Sequence, residues 1–544
     1  MNIQNAPAAS QHRPLIIIDT LLLLIFVLTI LPIRRSLAVG ELSTPIGYDD
    51  VVYLLQSAIL NNTIAKQPIL DSVQDILTQH AMFPTLLGCI GFIITPNDPV
   101  GPYTANIVIV ATLFFGCAAL LRGLPAGMVT GALAAIGSIP LAFFIVTEMR
   151  PDFGWGIFTA LAIVGFVSTN IFACRLRVLV GLGLLSGIAL ISKPSAVPVT
   201  AFMMLVGHGG GAVVRFLDTR GSTLPRSKIS TAAIFVFCVL AVAGPVYALT
   251  GSTVYLYIVT ALITLNDQNA VLGDWLFQWT YYSTGPAGEL VFGIYFYAIA
   301  LVTAASVLAI ALLDRRRLPR ALVLLVTLVV AYVIPSQTVV KTVFLGSAFY
   351  FFFLISATYL LGQAVQAGIS RHSTWRFWPL VDKLTALAGI AWFLAAIGFG
   401  SPHGLVELPD PLRADITNGS KTILSLIEND DKGRGQTVPA QAPRYVLVID
   451  PFPITADWIS LYSKMNDAGL SGIAGYYVDS VAELAKRIAA STYVVVGPSS
   501  EGALHGPHLG DALTLAMDQN TAFHLIGSYT RPGGQVVRVY ARNS

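Results

Sequence analysis

The sequence LIIIDTLLLLIFVLTILPI, residues 15 to 33, decides the fold class of this chain. It is almost entirely apolar and carries a single charge, Asp19. A helix of roughly 20 apolar residues is long enough to cross the hydrocarbon core of a bilayer. We therefore expect this segment to be the first transmembrane helix of a membrane protein.

The composition of the whole chain predicts many such helices. Its 544 residues are 55% apolar and 11% charged, and the mean hydropathy is +0.71. Soluble domains carry about 25% charged residues, so this composition excludes an ordinary soluble globular protein. The net charge is +3, and we expect no nucleic-acid partner. The four cysteines lie in or beside apolar runs and predict no disulfide framework.

Apolar runs bounded by charges or by proline and glycine clusters predict eleven spans. These lie near residues 15–33, 103–121, 125–147, 153–173, 178–192, 195–213, 230–250, 287–313, 321–335, 343–365 and 384–400. Lys193-Pro194 interrupts the run from 178 to 213, which predicts a tilted or broken hairpin there. Residues 1–400 are thus expected to form one helical transmembrane domain, with a first outer segment at 34–102.

Lysine and arginine residues are distributed unevenly between the two sides of these spans. With the N-terminus inside, the inner segments hold fifteen of them and the outer segments hold six. Cytoplasmic loops carry the excess of positive charge in membrane proteins. The sequence therefore predicts a multi-pass protein of the inner (plasma) membrane, with a cytoplasmic N-terminus and an extracytoplasmic C-terminal region.

The C-terminal region is more polar and has a different pattern. Residues 401–443 are expected to form a linker with a short helix near 411–428. Five runs read as strands, at 445–449, 473–478, 492–496, 522–526 and 536–540, and helical patterns lie near 455–468, 480–490 and 509–518. The turn at 531–534 predicts a terminal hairpin. Residues 444–544 are therefore predicted to form an extracytoplasmic α/β domain.

Two adjacent carboxylates, Asp49 and Asp50, follow the first span. The helical stripe after them consists of Val51, Val52, Leu55, Ile59 and Leu60. This stripe predicts a helix along the membrane surface that begins at the acidic pair, where an acid can serve as a simple cap. Carboxylates beside an apolar layer are costly, however, and such residues often have a function. The pair is therefore our leading candidate for a general base or a cation site.

Further ionisable residues fall on the same predicted outer side: His80, Glu148, Arg150, Asp152, Lys193 and Lys341. Taken alone, each has an ordinary structural explanation. Arg150 and Asp152 can pair to close a loop, and Lys193 can extend to the interface. Residues of both signs on one face are instead expected to meet in one cavity that opens away from the cytoplasm, which indicates a reaction site for a charged substrate.

Four motifs, in this order along the chain, resemble the GT-C superfamily of membrane glycosyltransferases, which includes protein O-mannosyltransferases and the aminoarabinose transferase of lipid A. They are Tyr48-Asp49-Asp50, His80-Ala81-Met82-Phe83-Pro84, Glu148-Met149-Arg150-Pro151-Asp152 and the run from Gly187 to Lys193-Pro194. The resemblance covers roughly residues 10 to 365. The second motif departs from the commoner His-Pro-Pro form of the family. We therefore assign His80 a supporting role and not a catalytic one.

The resemblance implies a transferase that moves a hexose or pentose from a polyprenyl-phosphate donor to a lipid, glycan or protein acceptor on the extracytoplasmic face. It implies catalytic roles for Asp49, Asp50 and Asp152, contacts of Lys193, Arg150 and Lys341 with the donor phosphate, and support from Tyr48, His80 and Glu148. Asp49 is our preferred base and Asp50 its orienting partner, although the reverse order stays open. The cofactor these residues suggest is a divalent metal ion at Asp49 and Asp50.

Two other classes of protein stay open at this point. One is a secondary transporter, in which Asp49, Asp152 and Lys193 bind substrate or couple ions, and the other is a non-catalytic scaffold of the cell envelope. Transporters place ionisable groups near the bilayer midplane and often show repeated halves, whereas these charges lie at one surface and the sequence shows no repeat. The aromatic loop from Thr250 to Glu289 fits either sugar stacking or an interfacial belt.

Overall fold

The structure is a computed structural model that describes most of the chain. The described residues are 13–46, 48–66, 81–218, 228–263, 271, 273–371, 377–398, 407–433, 444–450, 452–476, 478, 480–497 and 510–543. The chain divides into two compact units. The span unit comprises Met1–Pro32, Val73–Pro84 and Asn106–Leu405, and the sheet unit comprises Ile33–Ser72, Thr85–Ala105 and Val406–Ser544.

The part of the chain before the C-terminal region is helical. Its helices are α1 Arg13–Val39, α2 Tyr48–Lys66, α3 Met82–Ile94, α4 Gly101–Thr104, α5 Ile107–Leu120, α6 Ala126–Gly137, α7 Pro140–Thr147, α8 Pro151–Ser168, α9 Leu176–Ser192, α10 Val197–Asp218, α11 Lys228–Ile263, α12 Trp275–Thr280, α13 Pro286–Val291, α14 Tyr295–Leu313, α15 Leu318–Gln337, α16 Ser347–Arg371 and α17 Trp378–Gly398. Short 3-10 helices lie at Glu41–Ser43, Pro194–Ala196, Arg315–Arg317 and Val343–Gly346.

Among the described residues, nine helical segments are long and apolar enough to cross a membrane, and the bent pair α6 and α7 makes a tenth. Two apolar helices, α3 and α9, are shorter. The nine segments, the bent pair and α9 occupy the eleven predicted positions, which confirms the prediction of a polytopic helical membrane protein. The span predicted at 125–147 is broken into two helices, since α6 and α7 are bent by 62°. The bend arises because Pro140 begins a new helix after the extended residue Ile139.

Helices α8 and α16 form the centre of the span unit. In the membrane-length windows of α8 and α16, 89% and 83% of the residues are buried. The two helices pack against each other, with the rings of Phe153 and Phe351 6.1 Å apart between centroids and Gly156 placed against the backbone of Ser347. Because protein encloses α8 on most sides, the residues at its first turn have fixed positions.

The last span, α17, packs on α6 through small residues. A Cβ atom added at Gly131 would lie 2.4 Å from Thr385 O, and one added at Gly389 would lie 2.5 Å from Gly131 O. Gly127 and Gly131 have the four-residue spacing that lets membrane helices approach closely. Leu387 and Leu394, on the rest of α17, are exposed, as expected for a helix that faces lipid.

The C-terminal region has a five-stranded sheet. Its elements are α18 Asp410–Gly433, β1 Arg444–Val448, α19 Ala456–Asn466, β2 Leu470–Ala474, α20 Val481–Ala490, β3 Tyr493–Val496, α21 Gly510–Asp518, β4 Phe523–Thr530 and β5 Val536–Arg542. The strand order is β2-β1-β3-β5-β4, with β1 parallel to β2 and β3, and β5 antiparallel to β3 and β4. This confirms the predicted α/β fold and its terminal hairpin.

Strand β2 begins at Leu470, three residues before its predicted start at Ile473. The chain turns early because Asp467 and Gly469 both adopt positive φ, at 51° and 65°. Such left-handed residues end a helix, and glycine adopts this conformation without steric cost.

Helix α18 packs on β4 and β5. The side chain of Asp415 accepts a hydrogen bond from Tyr529 Oη at 2.9 Å and pairs with Arg531 Nε at 3.0 Å. Ser420 Oγ donates to Pro453 O at 2.7 Å. The residues from Asp410 onward, which the sequence analysis placed in a linker, therefore form a longer helix that belongs to the layered α/β structure.

Helix α2 is part of the sheet unit, and its buried face matches the predicted stripe only in part. Val51 and Leu60 are buried as predicted, but Leu54 and Ala58 are buried as well and Ile59 is 44% exposed. The helix packs on α19 of the α/β domain. A protein contact therefore accompanies the burial of residues on α2 beyond the predicted stripe.

Candidate active site

The acidic pair lies at the start of α2, within the sheet unit. Asp49 is exposed, whereas Asp50 is 6% exposed. Tyr103 of α4, itself buried, donates a hydrogen bond from its hydroxyl to Asp50 Oδ2 at 2.9 Å. Such a bond orients a buried carboxylate and offsets part of its desolvation cost. The pair thus combines one carboxylate that is accessible to solvent with one that the protein holds in place.

Asp152 and Lys193 form an ion pair in the span unit, although they are 41 positions apart. Each has a local reason for its position. Pro151 is the first residue of α8, so Asp152 lies in the first turn, where the helix dipole favours an acid. Pro194 ends α9 and leaves Lys193 extended, with its ammonium 5.3 Å from the ring centroid of Trp155.

Arg150 pairs with Glu148 in the same loop, at 3.4 Å between Nε and Oε2. Its guanidinium lies over the ring of Phe344, 3.7 Å from the centroid. Asn106 holds the loop, because its side-chain amide donates to the backbone oxygens of Val146 and Glu148 at 3.2 and 3.0 Å. The loop that the sequence singled out is therefore preorganised, with ion pairs Arg150–Glu148 and Asp152–Lys193.

Lys341 lies between α15 and α16 and is 4% exposed. Its ammonium donates to Pro335 O at 3.0 Å and Ser336 O at 2.9 Å, at the C-terminal end of α15, where the helix dipole favours a cation. The ring of Tyr282 lies 5.2 Å away. Burial lowers the pKa of Lys341 to about 8. Among the described residues no carboxylate lies within ion-pairing distance of this ammonium, so a buried positive charge has an N–H donor left for an anion.

Two residues that the sequence selected cannot be placed in this geometry. His80 and the side chain of Tyr48 lie outside the described part of the chain. Within the described ranges, no group of three His, Cys, Asp or Glu side chains could hold a metal ion. Nothing in the sequence indicated the role of Tyr103. The sequence placed Tyr282 in an aromatic loop but did not indicate that its ring lies near Lys341.

Two solved structures of ArnT from Cupriavidus metallidurans match this fold over 98% of this chain and 98% of that chain. The structure bound to undecaprenyl phosphate gives a TM-score of 0.57 at 12% sequence identity, and the apo structure gives 0.55 at 13%. The chain therefore shares the fold of these ArnT structures. The resemblance found in the four motifs is thereby confirmed at the level of the fold, and the match extends beyond residue 365 to the C-terminal domain.

A third structure, the oligosaccharyltransferase from Archaeoglobus fulgidus in complex with Zn and sulfate, gives a TM-score of 0.49 at 14% identity. It covers 97% of this chain and 73% of that chain. No protein-family model matches the sequence, and no curated protein matches it either.

Proposed function

We propose that this protein is an integral membrane glycosyltransferase. It transfers a hexose or pentose from a polyprenyl-phosphate-linked donor to a lipid, glycan or protein acceptor at the extracytoplasmic face of the plasma membrane. The observation that carries this proposal is the likeness of the whole GT-C fold to ArnT, whose structure was solved with undecaprenyl phosphate bound. The buried cations of the span unit and the acidic pair of the sheet unit supply the residue types that such a reaction needs.

Asp49 acts as the general base in this reaction. The acceptor hydroxyl attacks the anomeric carbon of the sugar, its proton passes to the Asp49 carboxylate, and the bond from the anomeric carbon to the phosphate oxygen breaks. The exposure of Asp49 supports this role, because a base must come within about 2.6 to 3.2 Å of the hydroxyl that it deprotonates. Asp50 is the orienting partner, since Tyr103 holds its carboxylate.

Lys341 and Arg150 stabilise the departing phosphate, which gains negative charge as the sugar leaves. Lys341 is the stronger candidate of the two, because Arg150 already pairs with Glu148. The charge of Lys193 is balanced by Asp152, so this pair orients the loops around the donor rather than adding net charge. Glu148 supports the site by holding Arg150.

The test is a transfer assay with the purified protein in proteoliposomes. A radiolabelled sugar on polyprenyl phosphate is the donor, and envelope extracts from a strain that lacks the gene supply the acceptor. We expect label to move to a lipid, glycan or protein and free polyprenyl phosphate to appear in equal amount. A matched reaction with EDTA tests whether a divalent ion at Asp49 and Asp50 takes part. Release of no polyprenyl phosphate from any such donor would contradict the proposal.

A further inference from the structure

We propose that the C-terminal α/β domain is a positioning module that holds helix α2, and with it the Asp49–Asp50 pair, in the orientation that transfer requires. This inference rests on the proposed function and gives the domain a role that its sequence does not indicate. The domain acts through α2, which begins at the acidic pair and packs directly on α19.

Helix α19 uses one of its faces to pack on the sheet. Ser460 Oγ accepts a hydrogen bond from Gly472 N at 2.8 Å, and Ser463 Oγ accepts one from Leu470 N at 2.7 Å. Gly472 has no room for a side chain, because a Cβ atom there would lie 1.8 Å from Ala456 O. The face of α19 toward β2 is therefore filled by the domain itself.

The opposite face of α19 is apolar and also buried. Trp458, Leu461 and Met465 lie along it at helical spacing, and each is less than one-tenth exposed. Helix α2 packs on α19, and the sheet occupies the other face of α19. We therefore infer that these three side chains form the surface on which α2 packs. Leu54 and Ala58, near the middle of α2, are buried, as expected for a helix that packs against protein.

The chain just before the acidic pair is fixed to the same region. Arg35 Nη2 pairs with Glu407 Oε1 at 2.8 Å, and Leu408 N donates to Val39 O at 2.8 Å. Gly40 and Glu407 also form an antiparallel β-bridge. The start of the C-terminal region thus holds the segment that leads into α2, while α19 holds α2 itself.

This arrangement matters because most helical stability in proteins comes from packing, so the position of α2 depends on the surface that it packs on. Asp49 and Asp50 lie in its first turn, so any shift of the helix moves both carboxylates. A misplacement of about 1 Å at a reacting group can lower a rate by about 100-fold.

The experiment compares Leu461→Ala with Leu484→Ala in the full-length protein. Both leucines are buried in helices of the same domain, at 0% and 3% exposed, but Leu484 belongs to the core with Val494 and Met517. We expect Leu461→Ala to lower turnover at saturating donor about 10- to 100-fold with donor affinity unchanged, and to speed hydrogen exchange of the α2 amides. Leu484→Ala, with a comparable loss of thermal stability, should leave turnover and α2 exchange at wild-type values.

Met465→Ala removes a different side chain from the same packing surface of α19. This second variant serves as the test if Leu461→Ala does not reach the membrane. Equal α2 exchange in the Leu461 and Leu484 variants, or equal loss of turnover in both, would overturn the inference. If the wild-type protein transfers no sugar, the proposed function fails, and the exchange measurement still decides whether the domain holds α2.

Discussion

We propose that the charge state of Lys341 governs donor binding. Its ammonium is buried without a carboxylate partner among the described residues, and its pKa of about 8 lies well below that of an exposed lysine. The ammonium is therefore mostly charged at pH 7 and loses its charge as the pH rises through about 8. A phosphate monoester has its second pKa near 6, so the ligand does not change charge in the same range.

We predict that the affinity for polyprenyl phosphate falls about 10- to 100-fold between pH 7 and pH 9.5, as expected for the loss of one charged hydrogen bond. Lys341→Met should show the low affinity at every pH, and Lys341→Arg should bind without this pH dependence because arginine stays charged. Binding is measured by titration in detergent, with Lys421→Met on the exposed surface of α18 as the control. A wild-type affinity that is constant from pH 7 to 9.5 would remove Lys341 from the donor site.

The residues of the candidate site differ in how much of their role the sequence can reveal. Asp152 and Lys193 each stand beside a proline that ends or begins a helix, which is a local signal, and both were selected. Their pairing joins residues 41 positions apart and depends on how α8 and α9 pack. Tyr103 is one of 20 tyrosines in the chain. Its neighbours in sequence give no sign that its hydroxyl bonds to Asp50, which lies 53 positions earlier. Such contacts arise from tertiary packing alone.

At the scale of elements, the contact of α6 with α17 depends on the missing side chain of Gly131. We predict that Gly131→Ala lowers the thermal unfolding midpoint, because the added methyl group meets the backbone of Thr385, and overpacking of this kind costs about 1 to 3 kcal/mol. Gly181→Ala is the matched control, since a Cβ atom there has no neighbour within 4 Å. Alanine favours a helix over glycine by about 1 kcal/mol, so the control should be neutral or stabilising. Equal midpoints in the two variants would contradict this packing.

The elements themselves were largely predictable, and the exceptions have physical causes. An apolar run of membrane length is a local property, so the eleven positions could be read from the sequence. The bend between α6 and α7 was missed because Pro140 lies inside an otherwise continuous apolar run. The predicted stripe of α2 included Val51 and Leu60, which are buried, but it missed Leu54 and Ala58, because the partner helix α19 lies some 400 positions later.

For the whole molecule, the proposed function requires one orientation in the membrane. The eleven spans that the sequence predicts are an odd number, which would put the two ends of the chain on opposite sides. We predict that a reporter fused after Ser544 is active outside the cytoplasm, because the inner segments carry the larger share of lysine and arginine. A second fusion, inserted between Arg371 and Phe377, should be active inside. Reversed activities would place every candidate site residue on the cytoplasmic side.

In the proposed reaction, sugar transfer from a polyprenyl-phosphate donor depends on the Asp49 carboxylate, and the transfer assay on Asp49→Asn is the decisive measurement. Asp98→Asn, a substitution at an exposed acid in the same first outer segment, is the control. General-base catalysis contributes about 10²- to 10⁴-fold, so we predict a loss of turnover of that size in Asp49→Asn, with donor binding retained and Asp98→Asn as active as the wild type. Full turnover in a folded Asp49→Asn protein would contradict the account.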